Sequence, residues 1–304
     1  SSKSYDIPII CVGNLSTGGT GKTPMIEYLI RLLKDKKSVA TLSRGYKRIT
    51  EGYELADQGA TADTIGDEPF QFFRKFKDIK VAVDGNRQNG IEQLLKLEDK
   101  PEVILLDDAY QHRKVKAGFN ILLTSYNDLY VNDMVLPTGN LREPKSGANR
   151  ADLIVVTKCP ETITIEEQES IKRELNIASH QHLFFSSIKY ANKIVSKTKT
   201  IDLEELKNKS FTLVTGIANP TPLVDFLSNK GFKFDHETYK DHHDFNEAEL
   251  LELEKKEFIV TTEKDFMRLR SRLKNENVYY LPITLVVLNE NKFNSKIKSF
   301  VRNF

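Results

Sequence analysis

The sequence predicts an α/β protein: a mainly parallel sheet with helices on both faces, plus a second, smaller α/β lobe. Three observations carry that expectation. Short apolar runs alternate with helix-period segments through both halves of the chain. The first run, Ile9 to Asn14, leads into Ser16-Thr17-Gly18-Gly19-Thr20-Gly21-Lys22-Thr23, and Met25, Ile26, Leu29, Leu32 and Leu33 follow at helical spacing. A later run, Val103 to Leu106, ends in the paired carboxylates Asp107 and Asp108. Strand, glycine-rich turn, Gly-Lys-Thr and helix is the order of a phosphate-binding loop. An apolar strand ending in carboxylates is its usual companion, so the sheet is expected to be of the P-loop NTPase type.

In that loop Gly18, Gly19 and Gly21 let successive N–H groups, Thr20's included, converge on a phosphate chain. Lys22 supplies a cation for the outer phosphates, and the Thr23 hydroxyl is placed to ligate Mg²⁺. Pro24 is tolerated in the first helical turn, where its missing N–H has no intrahelical partner. The motif is a variant, because Ser16 stands where the usual pattern has glycine. Thr17 replaces the signature lysine of partitioning-type ATPases, which argues against that dimerising class.

Val39 to Ser43 reads as the next strand and runs into the basic cluster Arg44-Gly45-Tyr46-Lys47-Arg48. At the carboxyl end of a parallel strand such a cluster either lines the ligand rim or is solvated surface charge. Residues 49 to 65 read as loops or a short hairpin. Gly66-Asp67-Glu68-Pro69 then opens a helix with Phe70, Phe73 and Phe76 on one face, and Asp67 has the chemistry of an N-cap. Val81 to Val83 is expected to be a strand, with Arg87 at its turn into a helix through Leu94 and Leu95. After Asp107 and Asp108, which suit an Mg²⁺ site, come Gln111, His112 and Arg113, dense in hydrogen-bonding groups. Strands are expected at 119–123 and 153–156. Between them, Leu136 to Pro144 holds too much Pro and Gly for a regular element and includes Arg142.

Val155-Val156-Thr157-Lys158-Cys159-Pro160 compares with the motif by which GTPases read guanine, Asn/Thr-Lys-x-Asp. Pro160 replaces the carboxylate that pairs with the base, so ATP is the expected nucleotide. Beyond this point the βα rhythm restarts, and we expect lobes at 1–158 and 159–304 with the active site in the cleft between them. In the second half, Tyr239-Lys240-Asp241-His242-His243-Asp244-Phe245 reads as a loop. A solvated polar loop, a His–Asp catalytic role and a zinc site are its three readings, although its spacing matches no common zinc site.

Composition narrows the classes. With 304 residues and 39% hydrophobic content the chain is long enough for two globular units. A formal net charge of +2 gives no support for a nucleic-acid partner, so any charged ligand must be met by local patches. Cys11 and Cys159 form neither a disulfide framework nor a metal-ligand spacing. No stretch approaches the roughly 18 consecutive apolar residues of a membrane span.

Taken together in order, these segments resemble the tetraacyldisaccharide 4'-kinase family, the lipid A 4'-kinases of Gram-negative bacteria. The carriers are Val12-Gly13-Asn14-Leu15 before the Gly-Lys-Thr loop, Leu42-Ser43-Arg44-Gly45-Tyr46, Gly66-Asp67-Glu68-Pro69, Asp107-Asp108 with Gln111-His112-Arg113, Gly139 to Pro144, and Asp241-His242. The resemblance covers nearly the whole chain. It implies transfer of the ATP γ-phosphate to the 4'-hydroxyl of a tetraacyl disaccharide 1-phosphate at the cytoplasmic face of the inner membrane. By motif it implies Asp67 as general base with His242 as its partner, and Glu68, Asp107, Asp108 and Thr23 as candidate organisers of Mg²⁺. Arg44, Arg87, Gln111, His112 and Arg142 would hold the disaccharide and its phosphate, the arginines as forked donors.

This sequence departs from the family pattern at Ala109, where glycine is common. It also shows no amino-terminal apolar docking segment, and it begins Ser-Ser-Lys without Met. The expectation is a peripheral protein, favoured as a monomer, whose anchor was trimmed or whose docking runs through acyl-chain contacts and basic surface. Two alternatives stay open from sequence: a P-loop kinase of another small sugar or nucleotide, and a nucleotide-switched ATPase or chaperone.

Overall fold

The structure, a computed structural model, describes residues 2–304. It divides into two compact units, residues 2–189 with 285–304, and residues 190–284.

The first unit opens with β1 (Ile9–Asn14), buried throughout, and α1 (Lys22–Leu33), which buries Met25, Ile26, Leu29, Ile30 and Leu33. Then come β2 (Val39–Ser43), the two-residue β3 (Glu54–Leu55), α2 (Ala62–Ile65) and α3 (Asp67–Lys75). Next are β4 (Lys80–Val83), α4 (Arg87–Leu95), β5 (Val103–Asp107), β6 (Phe119–Ser125), β7 (Leu153–Thr157), α5 (Ile165–Leu175) and β8 (His182–Tyr190). The second unit contributes β9 (Lys193–Val195), β10 (Thr200–Asp202), β11 (Phe211–Thr215), α6 (Thr221–Asn229), β12 (Phe234–Thr238), α7 (Glu247–Glu254), β13 (Ile259–Thr261), α8 (Glu263–Leu269) and β14 (Val278–Tyr280). The chain returns through β15 (Ile283–Val287) and α9 (Glu290–Arg302).

The first sheet has the order β15-β8-β7-β6-β1-β5-β2-β4-β3. Strands β1, β2 and β4 to β8 run parallel, while β3 pairs antiparallel with β4 at one edge. Near-continuous apolar runs such as Val103-Ile104-Leu105-Leu106 suit strands covered by helices on both faces. The strand β1 lies between β5 and β6, and the chain visits β2, β4 and β5 on one side before crossing to β6 on the other. The carboxyl ends of β1 and β5 therefore flank the switch point where open α/β sheets bind ligands. The second sheet, β10-β9-β14-β13-β11-β12, has its own core around Leu213, Leu227, Val260 and Tyr279.

Three expectations are corrected. The division falls at 189/190 rather than 158/159, because β8 pairs with β7 and extends the first sheet. The terminal helix also returns to the first unit, where Phe293 of α9 meets Tyr28 and Phe184 edge to face. Next to that boundary, β14 and β15 follow each other closely but belong to different sheets, separated at Pro282. In α3, Phe72 is the fully buried aromatic and Phe73 is only half-buried. The helix starts one residue earlier than a capping Asp67 would require. Gly66, at φ 94°, is its cap, and Asp67 is its first residue, with no side-chain cap bond.

One brace fixes α3 against α1. Buried Glu27 accepts a hydrogen bond from Gln71 Nε2 at 2.8 Å and pairs with Lys75 at 2.8 Å and Arg31 at 3.0 Å. The helix that begins at Lys22 and the helix that begins at Asp67 are thereby held in register.

Candidate active site

At the end of β1 the chain turns through Gly18 and Gly21, whose φ angles of 97° and 89° suit only glycine. Gly21 is the backbone cap of α1 and no side chain caps that helix, so its first N–H groups stay directed at the loop. A Cβ on Gly18 would meet nothing within 4 Å, which leaves the loop's outer face open. Gly13 answers a different need, since a Cβ there would come within 2.5 Å of Tyr110 Cβ.

The carboxylates at the end of β5 differ sharply. Asp107 is buried, and its Oδ1 has no hydrogen-bond partner. Burial first, then the charges of Asp108 and Glu68, push its carboxyl up to about 7 against the opposing pull of Lys22 and Arg87. Asp108 takes a left-handed φ of 48°, which turns it toward Arg142 Nη2 at 2.8 Å and Lys22 Nζ at 3.7 Å. Burial raises its pKa, but the charges of Lys22 and Arg142 outweigh burial and hold it below the usual range.

A test of this asymmetry is the stability of Asp107→Asn against pH, without nucleotide. The folded carboxyl lies near 7 and the unfolded one near 3.9, so its contribution to stability is fully present below about pH 4 and lost as pH rises through 7. Relative to wild type, the variant is expected to gain about 2 kcal/mol between pH 5 and pH 8 in denaturant titrations. An unchanged difference across that range would show that Asp107 is not desolvated.

The 134–142 loop is stitched to the phosphate loop. Ser16 bridges Leu141, Thr17 N–H donates to Asn140 O at 2.7 Å, and Arg142 N–H donates to Leu15 O at 2.7 Å. Arg142 also donates to the Asn14 carbonyl at 3.1 Å and to its side-chain oxygen. Gln111 Nε2 donates to Asn14 O at 2.8 Å and to Glu143 Oε1 at 3.1 Å. Buried Glu143 is gripped in turn by Arg113 and Arg150, each at 2.8 Å. Asn14 and Glu143 tie the site's loops together, and the sequence reading gave neither a role of its own, although both lie in segments that carry the resemblance. A buried polar residue closing an apolar strand was the available signal for Asn14, whereas the partners of Glu143 come from distant loops.

Arg87 is 1% exposed, and its Nε and Nη2 lack partners. Its Nη1 donates to Asp84 O. Burial lowers its pKa, and the charges of Asp107 and Asp108 oppose that effect. His112 is likewise lowered, by burial first and then by Arg87 and Arg44. Arg44 is exposed on a loop whose Gly45 packs backbone to backbone against Gly66, one residue before Asp67. The structure thus collects Lys22, Thr23, Glu68, Arg87, Asp107, Asp108, Gln111, His112 and Arg142 around the carboxyl ends of β1 and β5, with Arg44 and Asp67 on adjoining loops.

His242 belongs to the second unit. It has φ 55°, and its ring nitrogens lie 2.8 Å from Lys264 Nζ and 3.2 Å from Arg268 Nη2. His243 is a different kind of residue: it pairs with Glu249 at 2.9 Å and packs against Tyr239 and Phe245. The 239–245 segment is therefore pinned by buried Phe245 rather than a solvated loop. Among the described residues no three His, Cys, Asp or Glu side chains form a metal cage.

A buried orphan carboxylate, an orphan guanidinium and a lysine at a glycine-lined helix start form a site for a polyanion with an oxygen-ligated cation. Comparison with known proteins agrees with that chemistry. The family model described as tetraacyldisaccharide-1-P 4'-kinase matches residues 1–302. A tetraacyldisaccharide 4'-kinase of Flavobacterium johnsoniae is 52% identical over 305 residues, covering 99% of this chain and 89% of the relative. One of Bacteroides thetaiotaomicron is 44% identical over 327 residues, covering 99% and 86%. A crystal structure of LpxK from Aquifex aeolicus, described as an "apo" form in complex with ATP, is 31% identical with a TM-score of 0.77, covering 99% of this chain and 90% of that one. This chain belongs to the tetraacyldisaccharide 4'-kinase family.

Proposed function

We propose that this chain transfers the γ-phosphoryl group of ATP to the 4'-hydroxyl of a tetraacyl disaccharide 1-phosphate. The observation that carries the proposal is the convergence of Lys22, the Asp107–Asp108 pair and the Asp67–Glu68 helix start on one sheet rim. Phosphoryl transfer rests on positioning and charge neutralisation more than on covalent chemistry by the protein. In the proposed reaction the loop N–H groups and Lys22 hold the β- and γ-phosphates. The Asp67 carboxylate accepts the hydroxyl proton as the sugar oxygen bonds to phosphorus, and the bond to the β–γ bridging oxygen breaks to release ADP. His242 is the proposed partner that orients and compensates Asp67. Arg87, with two buried N–H groups lacking acceptors, suits an anionic oxygen of the substrate, and Arg44 and His112 adjoin it. Arg142 and Gln111 act chiefly by holding Asp108 and Asn14 in place.

The donor set also suits Mg²⁺, which prefers a few oxygen ligands alongside substrate phosphates. The orphan Oδ1 of Asp107 and the Thr23 hydroxyl would hold it, with Glu68 and Asp108 nearby. Its contribution when bound would be to neutralise charge on the phosphate oxygens.

A peripheral place on the cytoplasmic face of the inner membrane is part of the same proposal. No helix among the described residues is long and apolar enough to cross a membrane. Exposed Met134, Val135 and Leu136 on the loop stitched to the phosphate loop, with exposed Tyr46 and Ile49 beside the Arg44 cluster, suit acyl chains or lipid. The direct test is ³²P transfer from ATP to a tetraacyl disaccharide 1-phosphate in detergent micelles. Labelled lipid is the expected result; its absence at ample enzyme, with ATP still bound, would overturn the proposal.

A further inference from the structure

Thr157-Lys158-Cys159-Pro160 lacks the carboxylate of a guanine reader, and nothing above gives it a part in the site. Its position does. Buried Thr157 donates Oγ1 to Thr20 O at 2.7 Å and to Thr124 O at 3.3 Å. Its Cβ and methyl would lie 3.7 Å from a Cβ on Gly21, so β7 ends directly against the phosphate loop. Lys158 follows with a left-handed φ of 58°, and its Nζ lies 4.0 Å from where a Cβ on Gly19 would stand.

Lys158 is exposed, but three features separate it from an ordinary surface lysine. The left-handed backbone costs a non-glycine residue of order 1 kcal/mol, and it is adopted here at the turn where β7 meets the phosphate loop. Among the described residues its ammonium has no hydrogen-bond or ion-pair partner. Partial desolvation of the ammonium lowers its pKa first, and the Lys22 charge lowers it further. Two ammonium groups thus approach one loop of inward-facing N–H groups, an arrangement that repels itself until an anion is shared. Lys22 also faces Asp108, at 3.7 Å. In the sheet order β7-β6-β1-β5, Lys158 follows β7 while the paired carboxylates close β5, so the two reach the phosphate loop after β1 from opposite sides.

We propose that Lys158 is an ATP-binding residue that closes over the nucleotide from the end of β7 and contributes equally to its ground and transition states. This rests on the reading that the phosphate loop holds ATP, but not on the identity of the acceptor. Uniform binding of that kind lowers KM for ATP without raising kcat.

The experiment uses the full chain with Lys158→Gly and Lys158→Arg, measuring Mg-ATP affinity by calorimetry, steady-state kinetics and melting temperature. Glycine suits the left-handed backbone, so Lys158→Gly is expected to melt no lower than wild type. It should raise both Kd and KM for ATP about tenfold, with kcat within about twofold and KM for the lipid unchanged. Lys158→Arg, which keeps the charge, should stay within about threefold of wild type in ATP affinity. An unchanged ATP Kd in a folded Lys158→Gly protein would overturn the proposal. So would a loss confined to kcat at saturating ATP, because that would place Lys158 in the transfer step. Wild-type protein that binds ATP yet labels no lipid would sink the kinase reading and leave this one standing.

Discussion

Asp67→Ala is expected to lower kcat for lipid phosphorylation by about 10²-fold or more while ATP affinity stays within about twofold of wild type. Gly66 takes over the capping position, so that the Asp67 carboxylate serves no cap. Asp67 then stands at the first turn of α3, and the Glu27 brace ties that helix to the one beginning at Lys22. A sugar hydroxyl holds its proton tightly at neutral pH. A base fixed relative to the γ-phosphate offers both proton acceptance and orientation. Because Asp67 is not required to hold the nucleotide, the loss should fall on kcat, and Asp67→Asn should reproduce most of it without disturbing the helix. Single-turnover ³²P transfer alongside ATP titration makes the measurement. Turnover near the wild-type rate in either variant would remove Asp67 from the mechanism.

Replacing Lys22 by Ala is expected to cost about 10³-fold in kcat/KM, with both ATP binding and transfer impaired. Its ammonium lies 3.4 Å from Asn14 Oδ1 and 3.7 Å from Asp108 Oδ1, so it connects the end of β1 to the end of β5. Removing it takes away the loop's own cation and one of the charges that draws the Asp107 pKa down. Arginine should rescue poorly, since a planar fork does not replace a compact ammonium inside a narrow ring of N–H groups. Steady-state kinetics with a melting curve separate this effect from unfolding. A loss below about tenfold in a folded protein would assign charge neutralisation chiefly to other cations of the rim.

The parts of this protein that could be read from sequence are those written in consecutive residues. β1, the glycine turn and α1 follow from an apolar run, three glycines and helical spacing, and the same holds for Val103 to Asp108. The family was legible because several short segments recur in one order, although none of them decides it alone. What escaped depends on pairing between distant segments. That β8 extends the first sheet is decided by register with β7, and hydropathy cannot report register. Glu143 matters because Gln111, Arg113 and Arg150 converge on it from other loops. His242 and His243 are adjacent in sequence, yet one ring meets Lys264 and Arg268 and the other Glu249, partners that lie on later helices. The choice between Phe72 and Phe73 is set by which face α3 turns to the core, and it buries Phe72 with Phe70 and Phe76.

The division of the chain has a further consequence for how it can change. Ala191 N–H bonds to Pro282 O, and Leu288 N–H bonds to Phe185 O, so β8 and β15 run antiparallel as the two arms of one hairpin. From the standpoint of the first sheet, everything from residue 190 to 284 is that hairpin's loop. Closing a loop costs free energy that grows only with the logarithm of its length. A lobe can therefore lengthen, shrink or be exchanged at this point while the nine-stranded sheet keeps its connectivity. The topology lets the second unit change in length and core without rewiring the first sheet, while His242 is held back from that freedom by its proposed part in the chemistry.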